Sequence, residues 1–441
     1  MDTLFSNVNI VTMNEKMEVL LGAYLGVTDG KISYISKTAP QDTPQRIVDG
    51  TGMVLLPGLI NCHTHLVSSL LRGYCDDLSQ HDALEQQLRL EDKLDPRCAK
   101  AAATVGIAQC LRFGITSVSD LYYYPDALAE VAAQAGIKAN IALSSYRFED
   151  ENEDFDFETD PQCRELRRVK EKWHGYDDGR IRIDAGILSP YTSNFRLWEA
   201  LGRYAKEENL GLQLHLAQTK AEQEDCQDRT GLEEAQLLAC HDLFLNGGAA
   251  AGCNVLSDLE RAILAKYGVS AVVCPTADGK SGRLSADVLA CVQKGMNVAL
   301  GTGGSFESGS VDLFEAMGQV TNNARTLGGD SDKFPAQAAL MMATVCGARA
   351  QGRTGQCGML KVGMDADLCL VDFSAPHLMP CHNLLSGLVH SARGGDVAMT
   401  VVRGKVLYAN GKFPTLDLEN AVKEMMEYAI PKVFAEERSR A

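Results

Sequence analysis

The sequence lacks any excess of basic charge. Of its 441 residues, 42 are Lys or Arg and 58 are Asp or Glu, so the formal net charge is −16. Nucleic acids and anionic membranes attract basic patches, and no basic stripe interrupts the acidic background of this chain. We therefore expect neither a nucleic-acid partner nor a membrane partner.

The chain also lacks long apolar runs and regular cysteine spacing. No stretch approaches the roughly 20 apolar residues that a membrane-spanning helix requires. The start, MDTLFSNVNIVTM, has no basic segment followed by an apolar one, as a secretory signal would have. The 14 cysteines are scattered and form no CxxC pair. These absences predict a reduced, cytoplasmic protein.

Both ends of the chain are rich in short strand patterns and glycine turns. Residues 1–55 include the hairpin signal Asp29-Gly30, and residues 356–417 include VAMTVVRGKVLYANGKF. We predict that the two segments form one small composite β-sandwich domain. Residues 418–441 carry an apolar stripe at helical spacing, which predicts a closing helix.

Strand and helix patterns alternate through residues 56–355. The candidate strands are MVLLPGLINCH, GITSVSDLY, IKANIALSS, RIRIDAGILS, LGLQLHLAQ, GAAAGC, VSAVVCP and GMNVALGTGG. Eight strands alternating with helices are typical of an α/β fold with a closed (β/α)8 barrel. GAAAGC is the weakest of these assignments, because Gly and Ala are poor strand formers. In such a barrel, the chemistry lies at the C-terminal ends of the strands.

Three histidines fall at predicted strand ends. His63 and His65 lie two residues apart in NCHTH, so their side chains share one face of the first barrel strand. His215 ends the fifth strand and faces the barrel interior. Rigidly held neutral imidazoles suit a divalent metal such as zinc. We therefore interpret the three as metal ligands, whereas His241 is predicted to be a structural residue on a helix.

Several motifs resemble the amidohydrolase superfamily. PGLINCHTH followed by LLRGYCDDL is most similar to the S-adenosylhomocysteine and methylthioadenosine deaminases, near the cytosine and guanine deaminases. FGITSVSD, SPYTSN, HLAQT, VVCP and GMLKVGMDADLCLVD extend the resemblance along nearly the full length. The resemblance implies a metal-bearing barrel with a composite sheet domain, an oligomer, and deamination by a metal-activated water. It implies zinc as the metal, or iron.

Carried over position by position, the resemblance fails at the groups that move protons. The family's glutamate after the third histidine, its histidine after strand six and its aspartate after strand eight correspond to Gln218, Gly252 and Gly303. The family's histidine before PYT corresponds to Leu188. Loss of one proton-transfer group typically costs about 10²–10⁴-fold in rate. The family reaction is therefore expected to be close to abolished.

Other polar groups near the strand ends have two interpretations each. The candidate replacement carboxylates are Asp120, Asp278, Glu307 and Asp312, which we interpret as solvated or helix-capping groups. Cys253 and Cys274 are predicted to be small buried apolar residues rather than metal ligands. Arg72 and Asp76–Asp77 follow the first barrel strand, where they either bind a ligand or cap the loop.

Two hypotheses about function follow. In the first, the chain is a catalytically degenerate relative that binds a small molecule, as a homo-oligomer or together with an active relative. This relative either keeps a metal on the three histidines or, because the aspartate is missing at Gly303, binds it weakly or not at all. In the second, it is a working metal hydrolase that combines His63, His65 and His215 with a replacement carboxylate. The first hypothesis is favoured by the combined substitutions.

Overall fold

The computed structural model of the chain describes residues 1–148 and 155–435. Within these residues, the strands form two sheets of eight strands each. In chain order the strands are β1 (Thr3–Val11), β2 (Val19–Thr28), β3 (Lys31–Ser36), β4 (Arg46–Asp49), β5 (Met53–Pro57), β6 (Leu59–Thr64), β7 (Ile115–Tyr122), β8 (Lys138–Leu143), β9 (Ile181–Gly186), β10 (Leu212–Leu216), β11 (Gly248–Gly252), β12 (Val269–Val273), β13 (Val298–Leu300), β14 (Leu368–Asp372), β15 (Val397–Val402) and β16 (Lys405–Ala409).

The helices lie mainly between the strands of the second sheet. They are α1 (Gln80–Glu91), α2 (Pro96–Arg112), α3 (Pro125–Ala135), α4 (Pro161–Trp173), α5 (Tyr176–Gly179), α6 (Phe195–Glu207), α7 (Lys220–Thr230), α8 (Glu234–Cys240), α9 (Asp258–Tyr267), α10 (Pro275–Lys280), α11 (Val288–Gln293), α12 (Ser305–Ser308), α13 (Leu313–Gly328), α14 (Ala336–Met342), α15 (Val345–Ala350), α16 (Leu384–Ser386), α17 (Leu418–Glu424) and α18 (Ile430–Val433). Among the described residues, no helix combines the length and apolar character needed to cross a bilayer.

The sheet of β6 to β13 is the predicted parallel barrel. Its strands pair in chain order, and every pair is parallel. The barrel closes through the backbone amides of Thr302 and Gly303, which donate to the His63 carbonyl at 3.0 and 3.1 Å. GAAAGC forms β11 despite its low strand propensity, because its backbone is paired on both sides. The (β/α)8 prediction is confirmed.

The other sheet combines both ends of the chain, as predicted. Its order is β16-β15-β14-β5-β1-β2-β3, with β4 paired to β1. The prediction of MVLLPGLINCH as one barrel strand is wrong, because β5 pairs with β14 and β1 in the composite sheet. The chain changes sheets at Gly58, where a Cβ would lie 2.2 Å from Thr116 Oγ1. The exact domain limits at residues 55 and 356 stay predictions.

The predicted closing helix of residues 418–441 is present in part as α17 and α18. A π-helical segment, Met425–Ala429, joins the two. The buried residues Ala421, Ala429 and Val433 form its inward face. Residues 436–441, which the prediction included, lie outside the part of the chain that the structure describes.

Helix-start signals fix the elements around the barrel mouth. Thr219 and Glu222 form a capping box at the start of α7, in which each side chain accepts from the other's backbone amide. Asp312 caps α13 by accepting from the Phe314 amide at 2.9 Å, as the sequence predicted. Pro275 opens α10, where its missing N–H has no cost.

A polar network fills the barrel beneath its C-terminal end. Asp184 Oδ2 accepts hydrogen bonds from Asn140 at 3.1 Å and from Gln213 at 3.0 Å. Lys138 lies 1 % exposed at the opposite end of β8 and donates to Asp365 at 2.8 Å and to Asp367. Because Asp365 and Asp367 precede β14, this contact joins the barrel to the composite sheet. All 14 cysteines are free thiols.

Candidate metal centre and ligand cavity

Three histidines from two strands converge at the C-terminal end of the barrel. His63 lies on β6, His65 follows it directly, and His215 lies on β10. One ring nitrogen from each lies within 4.8 Å of the others, and the Nε2 atoms of His63 and His215 are 3.1 Å apart. The structure thus brings together the three residues predicted to be metal ligands, and we call them the histidine cluster.

Backbone carbonyls fix the tautomers of two of these rings. His65 Nδ1 lies 2.7 Å from the Leu121 carbonyl, and His215 Nδ1 lies 2.7 Å from the Leu188 carbonyl. A carbonyl oxygen only accepts, so each Nδ1 carries the hydrogen and each Nε2 keeps its lone pair. Leu188 lacks the family's side chain at this position, but its backbone orients His215.

Burial keeps the rings of His63 and His215 neutral. Burial lowers the pKa of His63 well below its usual range, and the neighbouring histidines lower it further. Burial also lowers the pKa of His215 to about 3. Neutral imidazoles with free Nε2 lone pairs are the donors that zinc binds. The residues present therefore fit a divalent metal ion.

A cavity of about 380 Å³ opens above the histidine cluster. Its lining includes Asp77 from the loop after β6. It also includes five other positions that the sequence analysis singled out: Gln218, Gly252, Gly303, Asp278 and Glu307. Arg72 does not line this cavity, because its guanidinium donates to Gln109 at 2.9 Å and to Ser305 at 3.2 Å. Arg72 thus ties the loop to α12, whereas Asp77 is available to a ligand.

The strand ends around the cavity carry an amide and two glycines. Gly252 has φ +97° and Gly303 has φ +63°, both in the left-handed region that favours glycine. A Cβ on Gly252 would lie 2.8 Å from Gln218 Cγ. The side chain of Gln218 therefore occupies space that a histidine at position 252 would need.

Two carboxylates that we interpreted as solvated are in fact buried. Asp278 is 1 % exposed, and its Oδ1 accepts from Asn254 and from Arg283, both at 3.0 Å. Asp120 is fully buried; its Oδ2 accepts from the Leu66 amide at 2.7 Å, and burial raises its pKa to about 7. Of the two interpretations that we gave these groups, solvated or helix-capping, the solvated one is wrong, because neighbouring groups enclose both side chains.

Glu307 lies on α12, the short helix that follows β13. Its side chain is half-buried, and its Oε2 atom is buried without a hydrogen-bond partner among the described residues. Burying a carboxylate oxygen without a hydrogen-bond donor costs free energy, because the oxygen loses its hydrogen bonds to water and forms no replacement. Glu307 and Asp278 are therefore the two cavity-lining carboxylates with a buried, unpartnered oxygen among the described residues, and Glu307 lies beside His65 of the histidine cluster.

The structure adds a pair that the sequence did not reveal. Glu91 on α1 accepts a hydrogen bond from the Tyr122 hydroxyl at 2.5 Å, and both line the cavity. Burial raises the pKa of Glu91 to about 7. In LRLEDKL the glutamate has the pattern of an exposed helix residue, and only the fold places it against β7.

The two cysteines at strand ends and the fourth histidine singled out in the sequence have structural environments. Cys253 and Cys274 are buried, and burial raises the pKa of both thiols, as expected for small apolar residues. His241 ends α8, stacks on Phe195 and lies 3.0 Å from Glu199. Its structural role agrees with the prediction.

Comparison with known proteins places these features among deaminases. The amidohydrolase family model matches residues 54–407. A 5-methylthioadenosine/S-adenosylhomocysteine deaminase of Thermoanaerobacter pseudethanolicus is 31% identical over 423 residues, covering 96% of this chain and 97% of that protein. A 5'-deoxyadenosine deaminase of Methanosarcina acetivorans is 33% identical over 424 residues, covering 96% of each. The zinc-bearing crystal structure of an adenosine deaminase from Xanthomonas campestris superimposes with a TM-score of 0.92 at 27% identity, covering 98% of this chain and 99% of that one.

Proposed function

Because this chain belongs to the amidohydrolase family, we propose that it is a deaminase-like metal-binding protein that has lost the family reaction. In this proposal the histidine cluster holds a divalent metal ion, most simply zinc, and the cavity binds a small amine-bearing molecule. The supporting observation is the cavity wall, where Gln218, Gly252 and Gly303 stand in place of the groups that the resemblance requires for proton transfer.

The histidine cluster supports the metal part of the proposal. The Nε2 atoms of His63 and His215 lie 3.1 Å apart, while the Nδ1 atoms of His65 and His215 donate to carbonyls. A zinc ion there would act as a Lewis acid towards a polar atom of the ligand. Zinc in the Xanthomonas campestris deaminase structure supports the choice of metal.

The remaining carboxylates of the cavity support the loss of proton transfer. Glu222 accepts from the backbone amides of Gln218 and Thr219 at 3.0 and 3.2 Å, so it caps α7. Asp278 is held by Asn254 and Arg283. The Gln218 amide neither takes nor delivers a proton near neutral pH. A proton shuttle on the β10–β12 side of the cavity would therefore have to use Asp278, whose Oδ2 has no hydrogen-bond partner among the described residues.

A second candidate function is hydrolysis of an amine by a modified site. It is favoured by Glu307, whose Oε2 has no hydrogen-bond partner among the described residues and is therefore free to accept a proton. In this alternative, Glu307 takes the place of the missing base. The two functions differ in whether zinc-loaded protein turns over an amine.

We expect no ammonia release from the zinc-loaded protein with adenosine-, guanine-, cytosine- or triazine-type amines. The measurement is a coupled ammonia assay at micromolar protein concentration, and the blank is the same protein without added amine. Turnover on the order of 1–10 s⁻¹, typical of working enzymes, would contradict the loss of activity. If that turnover disappears in Glu307→Gln, the second candidate function replaces the first.

We also propose that the protein acts in the cytoplasm as a homo-oligomer, or bound to an active relative. Free thiols throughout the chain suit a reducing compartment. Light scattering of the purified protein gives the mass of the assembly against the 47.7 kDa of one chain. Co-purification from the native host reveals whether a second barrel protein accompanies it, and a monomer that purifies alone contradicts both forms.

A further inference from the structure

The carboxylate of Glu307 lies beside the position of the missing aspartate. A Cβ built on Gly303 would be 3.7 Å from Glu307 Cβ and 3.9 Å from its Oε2. A Cβ built on Gly304 would be 2.5 Å from the same oxygen and 3.1 Å from His65 Cβ. Two successive glycines thus leave open the space that the Glu307 carboxylate fills, next to the histidine cluster.

The position of Glu307 in its helix explains this approach. Glu307 is the third residue of α12, and Gly304 is the residue before the helix. A glutamate at the third helical position reaches back towards the residues that precede the helix. Here the side chain forms no capping bond with Oε2, which has no partner among the described residues. Capping therefore does not account for the buried oxygen.

The cations of the cavity are committed to other groups. Arg283 Nε donates to Asp278 at 3.0 Å. Lys280 Nζ donates to Asp76 at 2.6 Å and to the Phe306 carbonyl at 2.8 Å. A buried carboxylate requires a positive partner, and a metal with three neutral ligands requires a negative one. Glu307 and a metal ion on the histidine cluster meet each other's requirement.

We propose that Glu307 is the anionic partner of the metal ion held by the histidine cluster, in the role that Gly303 no longer fills. The inference rests on the metal-binding part of the proposed function and is independent of whether any amine is hydrolysed. The negative charge that an aspartate at the end of β13 would supply is supplied instead by the third residue of α12. The metal site then keeps the one negative charge that the aspartate would have supplied.

Glu307→Gln is expected to weaken zinc binding by about 10–100-fold, the usual effect of removing a group that supports a metal site. Zinc affinity is measured by competition with a chromophoric chelator, starting from metal-free protein. The visible spectrum of the cobalt-loaded protein serves as a second readout and should change in the variant. Glu224→Gln, at an exposed position of α7, is the control and should bind zinc like the wild type.

The double variant Glu307→Gln/Gly303→Asp is expected to recover zinc affinity. A Cβ at Gly303 lies at an ordinary contact distance of 3.5 Å from Ala277 Cβ, and aspartate tolerates φ +63° better than most residues. Equal zinc affinity in the wild type and Glu307→Gln, with one zinc per chain in both, would overturn the role of Glu307 and leave the histidine site standing. A wild type that binds no zinc overturns both the inference and the metal part of the proposed function.

Discussion

His215→Ala is expected to abolish the metal binding that we propose for the histidine cluster. The histidine cluster has three members, and His215 alone comes from β10, so its loss leaves two ligands on one side of the ion. Loss of a supporting group already costs about 10–100-fold in metal affinity, so the loss of a direct ligand should exceed 100-fold. After dialysis against a weak chelator, elemental analysis should fall from near one zinc per chain to a trace.

His382→Ala is the matched control for this experiment. His382 is exposed on the surface and belongs to no metal-ligand group among the described residues. It should retain the zinc content of the wild type. Circular dichroism should show that His215→Ala is folded, since the residue lies half-buried at the barrel mouth. Full zinc content in a folded His215→Ala protein would mean that the metal binds elsewhere.

The histidine cluster could be predicted because its sequence signals are local. NCHTH places two histidines at a spacing of two after an apolar run, which fixes their common direction once the segment is a strand. His215 has the same position at the end of LGLQLHLAQ. The alternation of strands and helices then sets both strands in one parallel barrel. Local pattern and topology together determine the histidine cluster.

The exchange between the two sheets could not be predicted from pattern. MVLLPGLINCH is apolar on both sides of Gly58, and both β5 and β6 are buried. The chain leaves one sheet and enters the other because Thr116, on β7, fills the space beside Gly58. That contact joins residues 58 positions apart, which no local window contains.

The state of the cavity carboxylates is likewise a property of the tertiary structure. Asp278 is buried because Asn254 and Arg283 enclose it from β11 and from the loop after α10. Glu91 meets Tyr122 across 31 positions of sequence. Sequence alone assigns such residues to the solvent, since most aspartates and glutamates are exposed. The sequence names Glu307 as one of four candidate replacement carboxylates, but only the tertiary structure places it beside the histidine cluster.

Lys138→Met is expected to lower the free energy of unfolding by about 3 kcal/mol, near the low end of what breaking a buried ion pair costs. Lys138 is 1 % exposed and faces Asp365 and Asp367, which are 7 % and 3 % exposed. Methionine fills a similar volume but leaves the two carboxylates without this ammonium. Asp365 keeps its contact with Lys31 at 2.8 Å, which limits the loss. Urea denaturation at pH 7 measures the difference.

The contact between Lys138 and Asp365 also predicts how the difference in unfolding free energy between the wild type and Lys138→Met changes with pH. Burial opposes ionisation of Asp365, but the charges and hydrogen bonds of Lys138 and Lys31 together outweigh it and lower the pKa from 3.8 to about 2. The stabilisation is therefore complete above about pH 4 and is lost as the pH falls towards 2. The gap between the wild type and Lys138→Met should shrink over that interval.

Lys31→Met separates burial from charge at the same carboxylate. Lys31 also contacts Asp365 at 2.8 Å, but its side chain is 58% exposed, so water screens the pair. Exposed pairs contribute about 0–1 kcal/mol, so this variant should unfold close to the wild-type urea concentration. If both variants lose the same stability, the two sheets are not joined chiefly through Lys138. If only Lys138→Met loses much of its free energy of unfolding, the buried Lys138 ammonium is the main electrostatic link between the barrel and the composite sheet.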